Sequence, residues 1–284
     1  KKALEKTNAD IDAAVDWLRT KGLATAEKKS GRVASEGFVA IHVQGNSAAM
    51  IELNAETDFV SRNDDFKFLA SSLAILANDA ENIDELIALP FPNTQRSVKE
   101  EITHNIATIG ENMMLRRMKN IKVNKGAIVS YVHNATAEGM GRIGVLVALE
   151  SDLKIDILND VGKQIAMHVA ATKPVSLSVE DLDPSIVQRE REVLIEQAKQ
   201  SGKPQEIAEK MVEGRIRKFY QEVVLLEQTF VIDGESKVAD VLKKTAHEAG
   251  GEIVLKEFSL FVLGDGIEKE ETDFAAEVAA QLNK

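Results

Sequence analysis

Asn54-Ala55-Glu56-Thr57-Asp58-Phe59-Val60-Ser61-Arg62 joins two different patterns. Before it, Met50 to Ala55 closes an alternating apolar run; after it, Phe66, Leu69, Ala70, Leu73 and Leu76 recur at helical spacing. The stretch therefore reads as a strand-to-helix loop. Such loops are polar and lie on the surface, because buried loop backbone would leave its amides unpaired. Phe59 does not suit that setting, since a phenyl ring left in water forgoes roughly 1.5–3 kcal/mol of burial. Two readings follow. Either the ring folds back onto its own hairpin, or it is presented as a wedge, with Asp58 beside it, to a partner.

Working outward, the strand before the loop belongs to a hairpin. Phe38, Ala40 and His42 alternate with Val39, Ile41 and Val43, and Gly45-Asn46 turns the chain back into Met50 to Ala55. Upstream, Ile11, Ala14, Val15 and Leu18 predict a helix with Asn8 as N-cap, Asp10 and Asp12 in its first turn, and Gly22 as its stop. Lys1-Lys2-Ala3-Leu4 reads as the tail of a preceding helix. A pair this small does not bury a core, so a third helix is expected in front. The absence of an initiator Met points the same way, to a longer reading frame or to processing. Glu27-Lys28-Lys29-Ser30-Gly31-Arg32 reads as a linker. Downstream, Pro90-Phe91-Pro92 breaks the chain, a helix runs towards Ile109, and Met113 to Val123 reads as a strand.

The same order then recurs. Ala127 to Val132 and Ile143 to Leu149 predict a second hairpin, and a helix through Ile165 to Ala170 repeats the apolar spacing of Leu69 to Ala74. A helix from Val238 to His247 leads through Gly251-Glu252, matched to Gly110-Glu111, into a strand from Ile253 to Val262. Two copies of hairpin, helix, helix, strand make an α+β fold, each copy offering one apolar sheet face to its helices. Between Pro174 and the last helix lies an insertion. Pro184 opens it, Ser201-Gly202-Lys203-Pro204 reads as a turn, and Val212, Ile216, Phe219 and Val223 form the seam of a coiled coil, with Ile186 and Val193 on the outgoing arm. The seam of this antiparallel hairpin is closed by its own arms, or also offers a surface to a second copy. In the tail, Phe274, Val278 and Leu282 line one face of a helix that Thr272 can cap.

Composition narrows the function classes. At 284 residues, 44% apolar and 29% charged, the chain has the balance of a soluble globular protein of one to three domains. No apolar run reaches the ~18 residues of a membrane span, and no secretory signal is present. With no cysteine, disulfides, thiolate metal sites and cysteine nucleophiles are excluded, which fits a reducing compartment. The formal net charge of −11 argues against a nucleic-acid binder. The basic cluster Arg116, Arg117, Lys119, Lys122 and Lys125 reads as one solvated strand face.

Chemical motifs are sparse. Gly139-Met140-Gly141-Arg142-Ile143-Gly144 spells the dinucleotide glycine fingerprint, and a nucleotide- or dinucleotide-dependent enzyme using this loop is the alternative reading. The fingerprint needs a following helix, whereas Val145 to Leu149 is a strand run, so these glycines read as a hairpin loop. His42, His104, His133, His168 and His247 are scattered without metal-binding spacing, and His168 reads as a hydrogen-bonded core residue. No carboxylate pair stands in an apolar setting that would shift its acidity. Neither a catalytic residue, a cofactor nor a metal site is indicated.

Thr57-Asp58-Phe59-Val60 resembles the Thr-Asp-Phe-Val signature of the bacterial elongation factor Ts family. The likeness extends in order through Ile109–Asn112, Arg142–Val147, Ile165–Pro174, Gly202–Arg215 and Gly266–Ala280. The resemblance implies a ubiquitin-associated-like helical segment over 1–30 that lacks its first helix. It implies core subdomains over 31–125 and over 126–177 with 228–263, a coiled-coil hairpin over 178–227 and a C-terminal helical module over 264–284. By the same resemblance the protein is a cytoplasmic guanine-nucleotide exchange factor without catalytic chemistry or cofactor. It would bind elongation factor Tu, GDP-bound and nucleotide-free, with no direct nucleic-acid or membrane contact. Thr57, Asp58, Phe59 and Val60 would disturb that partner's Mg²⁺ site, and His133 matches a family residue near a further contact.

Overall fold

Two antiparallel sheets packed face to face, each backed by helices on its other side, form the body of the computed structural model, which describes residues 1–200 and 204–268. Helices α1 (Lys2–Lys6) and α2 (Ile11–Lys29) precede the hairpin of β1 (Glu36–Gln44) and β2 (Ser47–Ala55). A 3-10 turn, Asp58–Arg62, leads into α3 (Asp64–Leu76), followed by α4 (Ile83–Ala88), α5 (Val98–Ile109) and β3 (Met113–Lys122). Then come β4 (Gly126–His133), β5 (Met140–Gly141), β6 (Ile143–Glu150), α6 (Ile155–Thr172), α7 (Pro184–Gln200), α8 (Gln205–Val223), α9 (Val238–Ala249) and β7 (Val254–Val262). The sheet orders are β3-β2-β1-β5 and β4-β6-β7, so the α+β class holds.

Each sheet buries both faces rather than the one expected. Phe38, Ala40, Ile51 and Leu53 pack on α3 and α5, while Val39, Ala48 and Met50 point the other way. There they meet Ile128, Leu146, Ala148 and Phe261 of the second sheet, whose Val129, Val145 and Val147 in turn pack on α6. Double burial is why β1 carries apolar residues at successive positions instead of a clean alternation.

Local details recur between the sheets. Gly37 and Gly126 take φ of 118° and 133°, and a Cβ at either would collide with the carbonyl oxygen of Leu53 or Leu149 on the paired strand. One extra residue bulges from β3 opposite Glu52/Leu53 and from β7 opposite Ala148/Leu149; these are Arg116 and Lys256. Helices α5 and α9 end on left-handed Gly110 and Gly250. The step into β7 that matches Gly110 is therefore Gly250, one residue earlier than the pairing expected.

Some expectations need correction. Gly22 does not stop α2, which continues to Lys29 through the residues read as a linker. Gly22 lies against α5, where a Cβ would sit 3.7 Å from that of Ala107, and Arg19 and Lys29 bond Glu100 and the Gly110 carbonyl on the same helix and its cap. Packing thus overrides the weak helix propensity of one glycine. The N-cap of α2 is Asp10, which accepts from the Ala13 amide at 3.0 Å; Asn8 and Ala9 take positive φ instead. In the α7–α8 hairpin the seam is Leu194, Ala198, Val212 and Ile216, flanked by Ala208 and Tyr220, while Val193 is 47% exposed. The seam residues advance in steps of four, so Tyr220 rather than Phe219 continues the row. The turn expected at Ser201–Lys203 and the tail helix with Thr272, Phe274, Val278 and Leu282 lie outside the described residues.

The basic cluster is not a single solvated face: Lys122 and Lys125 are exposed, but its first two members are not. Arg116 and Arg117 turn inward onto Glu52, a fully buried carboxylate on β2, at 3.2 and 2.6 Å. Glu52 also accepts from the Asn54 side chain at 3.0 Å and from the Gly264 amide at 2.8 Å. Burial alone would raise this carboxyl's pKa, but the Gly264 amide, Asn54 and Arg117 outweigh it and hold it below its ordinary value. Arg117 stacks 4.3 Å from the Phe261 ring and donates to the Val262 carbonyl, and Arg116 donates to that of Asp265. Lys119 pairs with Glu257 at 2.5 Å, and Lys125 with Asp152.

His168 is buried on α6, as expected of a core residue. Its Nε2 lies 2.8 Å from Gln228 Oε1, and Nδ1 accepts from the Val231 amide at 3.2 Å, so the ring is neutral with its proton on Nε2. Burial lowers its pKa, opposed by the Gln228 bond.

Two measurements test this frame. Glu52→Ala should lower unfolding free energy by about 3–5 kcal/mol in urea titration, since it strands two inward-facing guanidinium groups. A loss below about 1 kcal/mol would mark the cluster as an ordinary surface pair. For His168, the unfolded chain takes up a proton that the folded chain refuses. Stability should be full above about pH 6.5, the ordinary histidine value, and fall below it by up to about 1.4 kcal/mol per pH unit. His168→Gln should lack that component, so the parent should lose more stability than the variant between about pH 7.5 and about pH 5.5.

Candidate functional site

The loop after β2 is pinned at both ends. Ala55 pairs with Met113, which sets residues 56–57 opposite residues 111–112 just beyond the ladder. Two carboxylates cross between these segments. Glu56 accepts from the Asn112 amide at 2.6 Å, and Glu111 accepts from Thr57 twice, from its amide at 2.9 Å and from Oγ1 at 2.7 Å. Arg32 adds a bond to Glu56 at 3.3 Å, and its carbonyl accepts from the Asn112 side chain at 2.8 Å.

Beyond Thr57 the chain makes the 3-10 turn, in which the Ser61 hydroxyl donates to the Asp58 carbonyl and the Asn63 amide to that of Val60. Asn63 then caps α3 by accepting from the amides of Asp65 and Phe66. Val60 is only 4% exposed and packs into the first core cluster. With Thr57 and Val60 held, Asp58 and Phe59 project between them. Phe59 is 69% exposed, with the Arg62 guanidinium 5.9 Å from its ring centre. The ring does not fold back onto its hairpin.

His133 is not part of this constellation. It ends β4 on the second sheet, exposed, with Nδ1 3.0 Å from the Tyr131 hydroxyl. The glycine string is filled by protein. Met140-Gly141 is itself a short strand paired to Val39 and Ala40, and Ile41 donates to the Gly139 carbonyl at 2.8 Å. A Cβ at Gly144 would stand 2.5 Å from Val39 Cγ1 and 2.8 Å from Met50 Sδ, so that glycine serves close sheet packing. An open groove of about 500 Å³ lies between Pro174–Leu177 and Lys256–Leu260, and a smaller one of about 140 Å³ between α3 and α5; neither is lined by the glycine string. Among the described residues no cluster of His, Asp and Glu is arranged to hold a metal ion.

Sequence reasoning singled out the projecting pair but missed its carboxylate clamps. The signal was there only indirectly, in two acids each standing one or two residues outside a strand end.

Comparison with known proteins adds an independent line. The family described as "Elongation factor TS" matches residues 56–265, beginning at the clamp residue Glu56. A protein named elongation factor Ts from Paramagnetospirillum magneticum is 55% identical over 282 residues, covering 99% of this chain and 90% of that relative. Those from Rhodospirillum rubrum and Gluconobacter oxydans are 54% and 55% identical, covering 100% and 99% of this chain and 93% and 91% of their own lengths.

The exposure of Phe59 sets its expected cost. Phe59→Ala should change the unfolding free energy of the free protein by less than about 1 kcal/mol, against about 3–5 kcal/mol for a buried aromatic. Thermal melting of the two proteins side by side decides between these values.

Proposed function

This chain belongs to the elongation factor Ts family, and from that premise we propose that it acts as a guanine-nucleotide exchange factor on elongation factor Tu. The observation that carries the mechanism is the projecting Asp58-Phe59 pair, held out between the clamped Thr57 and the buried Val60. A GTPase retains GDP partly through a Mg²⁺ that offsets phosphate charge. Phe59 enters between two helices near that ion, Asp58 accompanies it, and the disturbed coordination lets GDP leave. No covalent chemistry is required of this chain. Linkage makes the effect reciprocal: the factor by which this protein weakens nucleotide binding is the factor by which nucleotide weakens its own binding, so incoming GTP releases it.

Other surfaces complete the reading. The helical segment over 1–30 and the module over 264–284 grip the nucleotide domain of the GTPase, and His133 on the second core copy reaches its third domain. The copies span 31–125 and 126–177 with 228–263. The arms over 178–227 close their own seam, and exposed Val193, Ile195 and Ile207 are what a second copy would meet. Among the described residues no helix is long and apolar enough to cross a membrane. We place the protein in the cytoplasm with its partner.

Release of labelled GDP from elongation factor Tu tests this directly. The parent protein should accelerate release, and Phe59→Ala at saturating concentration should reduce the maximal rate by about tenfold or more, a barrier change of about 1.4 kcal/mol or greater. Asp58→Ala should act in the same direction. A folded Phe59→Ala protein that still drives release at the parent rate would sink the wedge mechanism.

A further inference from the structure

We infer that Glu111 is a positioning residue for the Asp58-Phe59 pair, an inference that rests on the exchange-factor reading above. Its carboxylate takes both donors of Thr57, the residue immediately before Asp58: the amide at Oε2, 2.9 Å, and the hydroxyl at Oε1, 2.7 Å. A single bond would leave the peptide free to rotate about it. Two bonds from one rigid carboxylate fix the position and the direction in which the chain leaves the ladder. Glu56 makes the reverse connection to the Asn112 amide, so the two segments hold each other through three hydrogen bonds, and the Asn112 side chain adds one to the Arg32 carbonyl.

The second sheet supplies an internal comparison. Leu53 and Leu149 occupy the same place beside the two bulges, so the residue four further on is Thr57 in one case and Leu153 in the other. Gly110 and Gly250 are the matching helix caps, so Glu111 corresponds to Gly251. A Cβ at Gly251 would stand 2.8 Å from Leu153 Cδ2: an apolar side chain fills the space that the carboxylate uses in the first sheet. There the crossing is made by one hydroxyl instead: Ser151 Oγ donates to the Glu252 carbonyl at 2.5 Å and accepts from the Leu153 amide at 3.1 Å, no aromatic is presented, and the chain enters α6 directly at Ile155. A carboxylate reaching across from the residue after the helix cap is found where a ring is held out, and a single serine hydroxyl stands in its place where the chain runs straight into a helix. Glu111 therefore sets the loop before the partner arrives, sparing the complex the ordering of that segment when Phe59 enters.

The test measures maximal GDP release from elongation factor Tu and the half-saturating protein concentration separately, together with exchange of the Thr57 amide by NMR. Glu111→Ala should lower the maximal rate by about tenfold while moving the half-saturating concentration by less than about threefold, because the remaining contacts still dock the protein. Its Thr57 amide should lose protection while the β2 amides keep theirs. Thr57→Val, which removes the hydroxyl bond alone, should give a smaller loss. The double variant should be no worse than Glu111→Ala, as expected of two residues acting through one interaction. Should Glu111→Ala fail to fold, the isosteric Glu111→Gln decides: it keeps one acceptor oxygen and should show a partial loss of rate. Folded Glu111 variants that release GDP at the parent's maximal rate would overturn the positioning role and leave the exchange-factor reading intact. A parent protein without effect on release would overturn the reading itself.

Discussion

Glu52 lies on the face of β2 that meets the second sheet, fully buried, and its charge is met by Arg116, Arg117, Asn54 and the Gly264 amide. Taking a carboxylate out of water costs several kcal/mol, so an apolar residue of similar size would stabilise the same space at less expense in solvation. What the carboxylate adds is direction. Apolar contacts between Val39, Met50, Leu146 and Phe261 attract without fixing an orientation, whereas Glu52 needs Arg116, Arg117 and Gly264 at defined places. Those two arginines in turn hold the carbonyls of Val262 and Asp265, so the end of β7 is set against the first sheet. The presented loop begins four residues after Glu52 on the same strand. Its frame is therefore inherited from the way the two sheets are locked together.

Much of the secondary structure was legible because it depends on local pattern. The hairpin around Gly45-Asn46, the helix from Asp64 and the strands at Met113 and Ile143 follow from period and turn chemistry. What escaped depends on distant neighbours. Nothing within α2 says that Gly22 will lie against Ala107, and nothing in the run from Arg116 to Lys125 says that its first two members will meet a buried acid 64 and 65 positions away. The seam of the arms shifted from Val193 to Leu194 because both positions are apolar and only the opposing arm selects between them.

The site divides along the same line. Phe59 was conspicuous from composition alone, as an aromatic in a polar loop. The role of Glu111 needed the register of Ala55 on Met113, a contact 58 positions apart that no local pattern encodes. Family likeness also marked residues 109–112, but without a reason for them; the two bonds to Thr57 supply one.

The short strand β5 has a consequence for how the chain can come apart. It is supplied by the connection between β4 and β6 of the second sheet, yet it pairs with β1 at the border of the first. An outer strand with unpaired amides is a template for association with other chains, and here one sheet's loop caps that margin for the other. Opening the second sheet would withdraw the cap, and would bare Val39 and Met50 in the same event. Partial unfolding of the second half thus exposes both an adhesive strand and an apolar surface. That favours an all-or-none transition for the body, and it makes half-formed chains during synthesis the state most in need of protection from aggregation.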